Sequence, residues 1–307
     1  MPMNPELLGN PKAERIRRVA DLANAKARRR TGRFLVEGPQ SVREAVACCS
    51  EAVLDLYVQA DGIAGGELGA GAETDLAHEA QGEGNTNPTL TRARIVQAAL
   101  RAGIYVHRAV PEVMRRISEN AQGIAAVAEL AALQPDPDAI KWSSAPTIAA
   151  FWQVRDPGNA GAIIRAADAA GCAAVVFVDE CVDASNPKVV RSTAGSLFHV
   201  PLLTMGTEEF FTWCACHGCP VIAADVYGVA GHAPQSLPDV LREKPLNSSP
   251  KAVLFGNEAR GLPESIVLRA QQIVSIPIYG RAESLNLATS AAVMLFSMAM
   301  SSHMGRM

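Results

Sequence analysis

The sequence predicts an α/β protein of two domains, and three observations carry that prediction. At 307 residues the chain is about twice the length of an ordinary domain. Segments rich in β-branched residues alternate with Ala-rich helical ones in both halves, the pattern of strands covered by helices. A break at 134–146, with Pro135, Pro137 and Pro146 beside Ser143 and Ser144, has the composition of a linker. With 49% hydrophobic, 19% charged and 5% aromatic residues, the chain is neither a coiled coil nor disordered throughout.

Taken in order, a basic helical arm is expected over 1–30 and a small α/β domain over 31–133. Its strands are read near Arg33–Val36, Val53–Val58, Ile104–Val106 and Ile124–Glu129, with helices near Ser41, Arg92 and Pro111. After the linker, a second domain covers 147–307. Its strands are read over Thr147–Val154, Ala173–Asp179, Val200–Leu203, Val221–Val226, Ala252–Phe255 and Ile273–Ile278, again with helices between. The amino terminus has no apolar run behind basic residues, so a cytoplasmic address is expected. The longest apolar stretch, Leu285–Met300, includes Asn286 and is shorter than the roughly 20 residues a membrane span needs. Seven cysteines fit reduced thiols in that compartment.

Charge is uneven. The formal total is −3, yet Lys12–Arg33 holds nine Lys or Arg against Glu14 and Asp21. A cluster of that kind either meets phosphate through counterion release or forms a solvated basic helix. Asp61–Glu83 is the opposite, acidic and glycine-rich without a basic residue or an apolar period, and reads as a flexible surface insertion.

Neither a phosphate loop nor a dinucleotide fingerprint is present, because the glycines at Gly65–Gly71 do not join a strand to a helix. Three other polar segments lie at the carboxyl ends of predicted strands, where α/β sheets place their ligands. In Val154–Arg165, Asn159 suits a helix cap. Gly161, Arg165 and Asp168 follow in one stripe, where the glycine leaves room for a ligand or Arg165 pairs with Asp168. In Phe255–Pro263, two glycines flank Glu258, which faces a ligand or pairs with Arg260 in a surface turn. In Ile276–Ala288, Ser284 suits a cap before a helix whose Ala288, Ser290, Ala291 and Ala292 permit close packing, including by a second subunit. Cys214, Cys216, His217 and Cys219 are crowded on one short segment without a partner pair. They read as a helix end with cysteines packed as small apolar groups, not as a zinc site. Asn247-Ser-Ser is a chance glycosylation match in a cytosolic chain.

Together, N-x-G-x-x-x-R, F-G-N-E-x-x-G-L and I-P-x-x-G-x-x-x-S-L-N resemble, in order and spacing, the three motifs of the SpoU (TrmH-like) branch of the SPOUT RNA methyltransferases. The likeness covers about 147–303, and Asn186–Gly195 is similar to that family's segment between its first two motifs. Arg30–Gly38 and Gln122–Val127 resemble its ribosomal-protein-L30e-like RNA-recognition domain. The resemblance implies S-adenosylmethionine as cofactor, 2′-O-ribose methylation of RNA without a metal, a homodimer and a deep trefoil knot in the carboxyl-terminal domain. It assigns catalysis to Asn159, Arg165, Glu258, Ser284 and Asn286, cofactor contacts to Gly256, Asn257, Ile276 and Leu285, and RNA contacts to Arg30, Arg33 and Arg191. An added RNA-recognition domain suits a structured target, which favours rRNA over tRNA. A guanidinium keeps its charge, so Arg165 is expected to bind phosphate and steady a developing alkoxide while a substrate phosphate or water takes the proton. Two alternatives are an RNA-binding protein that has lost catalysis, separated by cofactor binding, and a base methyltransferase, separated by the labelled nucleoside.

Overall fold

The computed structural model describes residues 3–4, 6–60, 88–140, 144–242 and 249–303. The acidic insertion at 61–83 and Asn247 lie outside them, as do residues 141–143 of the expected linker. Two compact units divide the chain, Met1–Ala132 with Ser185–Phe198, and Leu133–Ala184 with His199–Met307. Residues 185–198, which the sequence reading places in the second domain, therefore pack with the first.

In the first unit a four-stranded sheet is built from β1 (Arg33–Glu37), β2 (Val53–Gln59), β3 (Tyr105–Ala109) and β4 (Ile124–Glu129), in the order β1-β4-β2-β3. Only β2 and β3 are parallel. Helices α1 (Glu14–Ala20), α2 (Ala25–Thr31), α3 (Pro39–Cys48), α4 (Pro88–Arg101) and α5 (Pro111–Ile117) complete it. The basic segment is not a detached arm, because Ile16, Val19 and Leu22 enter the same core as Leu35, Tyr57, Ala125 and Val127. Arg28 accounts for part of this. Only 2% exposed, it donates to the carbonyls of Leu22 (3.0 Å) and Ala23 (2.9 Å) and to the Ser185 hydroxyl (2.9 Å). The same guanidinium therefore closes the turn between α1 and α2 and ties down the far segment of the unit.

The second unit is a seven-stranded sheet from β5 (Thr147–Trp152), β6 (Ala174–Val178), β7 (Leu202–Met205), β8 (Val221–Ala224), β9 (Gln235–Ser236), β10 (Lys251–Phe255) and β11 (Gln272–Ser275). Its order is β7-β6-β5-β10-β8-β11-β9, parallel throughout. All residues of β6 and β10 are buried, as expected of strands covered on both faces. Around the sheet run α6 (Pro157–Ala169), α8 (Thr207–Cys216), α9 (Leu237–Arg242), α10 (Glu264–Val267) and α11 (Leu287–His303), while α7 (Pro187–Ser192) belongs to the first unit. No helix among the described residues is long and apolar enough to cross a membrane.

The strand expected over Ile273–Ile278 stops at Ser275, because Pro277 cannot donate to a ladder. Helix α8 ends at Cys216, with Gly218 in the left-handed region before β8. Cys214 is buried there, and desolvation pushes its thiol up to about 12.

Arg28→Ala removes the charged partner of two carbonyls and a hydroxyl in a dry site. It is expected to destabilise the protein by about 3 kcal/mol, read from the urea midpoint at an unchanged slope.

Candidate active site at the switch point of the parallel sheet

The geometry of the site starts from strand order. The chain leaves β5 for β6 and β7 on one side, while β10, β8 and β11 lie on the other, so the order reverses between β5 and β10. A crevice at such a reversal is where open α/β sheets bind ligands. The two strands end level, with Phe151 paired to Phe255 and their rings stacked at 5.1 Å. Consequently the loops that follow, 153–156 and 256–263, emerge side by side.

The first loop enters α6 through Asp156, which accepts the Asn159 amide N–H at 2.7 Å and is the cap of that helix. Asn159 is therefore not the cap, and its side chain is free for other bonds. Its Nδ2 donates to Glu258 Oε1 at 3.1 Å, and its Oδ1 accepts from Asn286 Nδ2 at 3.1 Å. Asn286, not Ser284, caps α11, its Oδ1 accepting from the Ala288 amide at 2.8 Å. One amide thus links all three polar segments.

The second loop is pinned by backbone bonds in both directions between Asn257 and Gly261, at 3.1 and 2.9 Å. A methyl group on Gly256 would strike the backbone of Gly261 and Leu262, so this position admits only glycine without a shift of the loop. Asn257 is buried, and its Nδ2 donates to the Gln153 carbonyl at 2.7 Å, joining the first two loops a second time. Glu258 is held by Asn159 and by the Asn257 amide (3.4 Å), so it does not pair with Arg260.

Beside these loops opens a cavity of about 870 Å³. Gly256, Asn257, Glu258, Ile276, Ser284, Leu285 and Asn286 all line it. Its charged lining is Asp225, Glu258, Glu264 and Glu283 against Arg260, an excess of carboxylates. Asp225 was not singled out by the sequence; its Oδ1 accepts the amides of Tyr227 (2.9 Å) and Gly228 (2.6 Å), a turn motif that an Asp followed by Gly three residues later could have signalled.

Asn159 does not line this cavity but is bonded to two residues that do. Arg165 does not line it either; it is exposed on α6, and no described residue forms a hydrogen bond or ion pair with it. Its expected partner Asp168 is bonded instead to His199 Nδ1, at 2.9 Å. Gly161 is buried within α6. In the first unit Arg30 and Arg33 are exposed, whereas Arg191 is ion-paired with Glu37, itself 3% exposed.

Residues 146–296 match the SpoU rRNA Methylase family, and residues 13–71 match the MRM3-like substrate binding domain. The 23S rRNA (guanosine(2553)-2'-O)-methyltransferase RlmP of Bacillus subtilis is 36% identical over 146 residues, 47% of this chain and 54% of that protein. The chain spans about half the length of the curated relatives it matches. Among solved structures, an AdoMet-bound rRNA methyltransferase from Sinorhizobium meliloti superimposes with a TM-score of 0.74 at 26% identity, covering 97% of this chain and 98% of that one. The SpoU methyltransferase AviRb from Streptomyces viridochromogenes gives 0.72 at 25% identity, covering 95% and 99%. Residues 146–296 therefore belong to the SpoU methylase family, and residues 13–71 match an MRM3-like substrate binding domain ahead of them.

Proposed function

We propose that this protein transfers a methyl group from S-adenosylmethionine to a ribose 2′-hydroxyl of rRNA and works as a homodimer. The observation that carries the reading is the Glu258–Asn159–Asn286 link, which gathers three separate loops at the edge of one cavity. The cofactor supplies an electrophilic methyl group on a sulfonium cation and carries no phosphate. A lining with four carboxylates and one arginine suits such a cation and would repel a nucleotide phosphate. Apolar walls from Leu262, Val267, Ile276 and Leu285 suit an adenine ring.

Within this reading Gly256, Asn257, Ile276 and Leu285 hold the cofactor, and Glu258 fixes Asn159 toward Asn286. Ser284 and Asn286 face the reacting atoms. Arg165, charged and unengaged, takes an RNA phosphate and steadies the alkoxide as the 2′-hydroxyl gives up its proton to a substrate phosphate or water. The work of the protein is alignment of the hydroxyl with the methyl group. A trefoil knot in the second unit belongs to the same proposal.

The homodimer is supported by α11. Val293, Phe296 and Met300 are 38%, 37% and 59% exposed on one face of this helix, whereas Ala291, Met294, Leu295 and Met298 are buried on the other. A second copy would cover that stripe. Phe296→Glu is expected to give a monomer in analytical ultracentrifugation.

The deciding assay combines methyl-labelled S-adenosylmethionine with unmodified rRNA and tRNA, then digests the RNA and identifies the labelled nucleoside by mass spectrometry. A 2′-O-methylnucleoside in rRNA is expected; label on a base, or none despite cofactor binding, would overturn the reading. Arg165→Ala is expected to abolish transfer while calorimetry still records cofactor binding. Gly256→Ala forces its loop aside at a cost of about 1–3 kcal/mol, and is expected to weaken cofactor binding by about tenfold or more.

A further inference from the structure

A second concavity, of about 830 Å³, lies wholly within the first unit. Strand register explains its floor. Antiparallel and parallel pairing place Leu35, Val127, Asp55 and Tyr105 in one row across the sheet, and Glu37, Ala125, Tyr57 and His107 in the next. Because alternate residues of a strand share a face, Arg33, Val127, Asp55 and Tyr57 point the same way. Helices α1 and α2 and the turn between them border that face and add Arg15, Arg18 and Arg30, together with Val19, Leu22 and Ala27. The result is an apolar floor with Asp55 at its polar end, and four arginines and Glu14 around it.

The partners of these groups differ. Arg18 is ion-paired with Glu14. Arg15 donates to the Tyr57 hydroxyl at 3.3 Å and to Asp55 Oδ1 at 3.0 Å, and it also contacts His107. His107, fully buried, approaches the same Oδ1 at 2.8 Å. Asp55 is thus held rigidly by one oxygen, while no described residue hydrogen-bonds to its Oδ2. Arg30 and Arg33 are exposed and form no hydrogen bond or ion pair with described residues. Burial alone would raise the Asp55 carboxyl, but His107, Arg15 and Arg33 outweigh it and hold the group below its usual range, so it is an acceptor at neutral pH.

An ionised carboxylate accepts hydrogen bonds and donates none. Adenine and cytosine each present a ring lone pair beside their amino group, which a carboxylate repels. Uracil offers a single N–H between two carbonyls. Guanine alone places two donors, N1–H and the 2-amino group, on adjacent atoms, so that both can converge on the two lone pairs of the unclaimed Oδ2. We propose that this cleft is a nucleotide-binding subsite that takes one unpaired guanosine of the substrate RNA, its donor edge on Asp55 and its flanking phosphates on Arg30 and Arg33. The subsite rests on the reading that the substrate is RNA, and it adds a second contact that selects sequence away from the chemistry. Arg15 is the positioning residue that fixes Asp55, and Tyr57 shapes the floor.

The test uses the full-length protein and a short fluorescein-labelled oligouridylate carrying one central guanosine, adenosine or inosine, with affinity read by anisotropy. The guanosine probe is expected to bind about tenfold more tightly than the adenosine probe. Inosine, which lacks only the 2-amino group, should fall between them. Asp55→Asn should erase the preference, and the double variant Arg30→Ala/Arg33→Ala should weaken all three probes alike and reduce the salt slope of binding by about 1.4. Equal binding of guanosine and adenosine probes by the wild-type protein would overturn the subsite, and so would a preference that survives Asp55→Asn. The wild-type comparison needs no variant to fold, and the exposed positions of Arg30 and Arg33 make loss of folding in the double variant separable by its melting curve. Methyl transfer is scored separately. Intact transfer without guanosine preference removes the subsite alone, whereas guanosine preference without transfer removes the proposed activity alone.

Discussion

The side-chain amide of Asn159 has two ends, and both are committed, one to a carboxylate and one to another amide. That arrangement depends on a small displacement of labour at the start of α6. Asp156 caps the helix, and Pro157 follows at a position whose amide would have been unsatisfied anyway, so Asn159 stands at the third helical position with its side chain free. If Asn159 capped the helix, its oxygen would face inward to the backbone and could not accept from Asn286. A hydrogen bond to a charged group contributes about 1.5–3 kcal/mol. Such a bond suffices to hold a loop end in register but not to fold it, which is why the turns themselves are set by backbone bonds between Asn257 and Gly261.

Charge divides the labour between the two concavities. The cavity of the second unit has four carboxylates against one arginine, and the cleft of the first has four arginines against Glu14 and Asp55. A chain with a formal charge of only −3 therefore carries two local fields of opposite sign. One suits a small cation and the other suits a polyanion, and each field discourages the other's ligand.

Much of this was legible in the sequence, for identifiable reasons. Strand β4 was read with its full bounds because Ile124–Ala128 is an unbroken apolar run that opens after Gly123 and closes on the charged Glu129. The three polar segments were found because each follows a strand, and strand ends are where α/β sites assemble. The caps were misread because Asn, Asp and Ser are all competent caps, and only the backbone geometry of each helix start decides among Asp156, Asn159, Ser284 and Asn286. The role of Arg28 was hidden because its charge counted toward a basic cluster that suggests a solvated or RNA-facing surface, whereas three long-range and local acceptors draw it inside. The cleft around Asp55 was equally invisible, since register across three strands brings its residues together and no local spacing encodes that.

The first unit includes residues 185–198, which lie between the first two polar segments in the chain and carry the buried Val189, Val190, Leu197 and Phe198. The polypeptide therefore passes from one unit to the other three times, near 132, 184 and 198. Recombination at a single point between the two halves would separate the first unit from a piece of its own core. Exchange of the first unit between relatives thus calls for the inner segment, 185–198, to be transplanted with it.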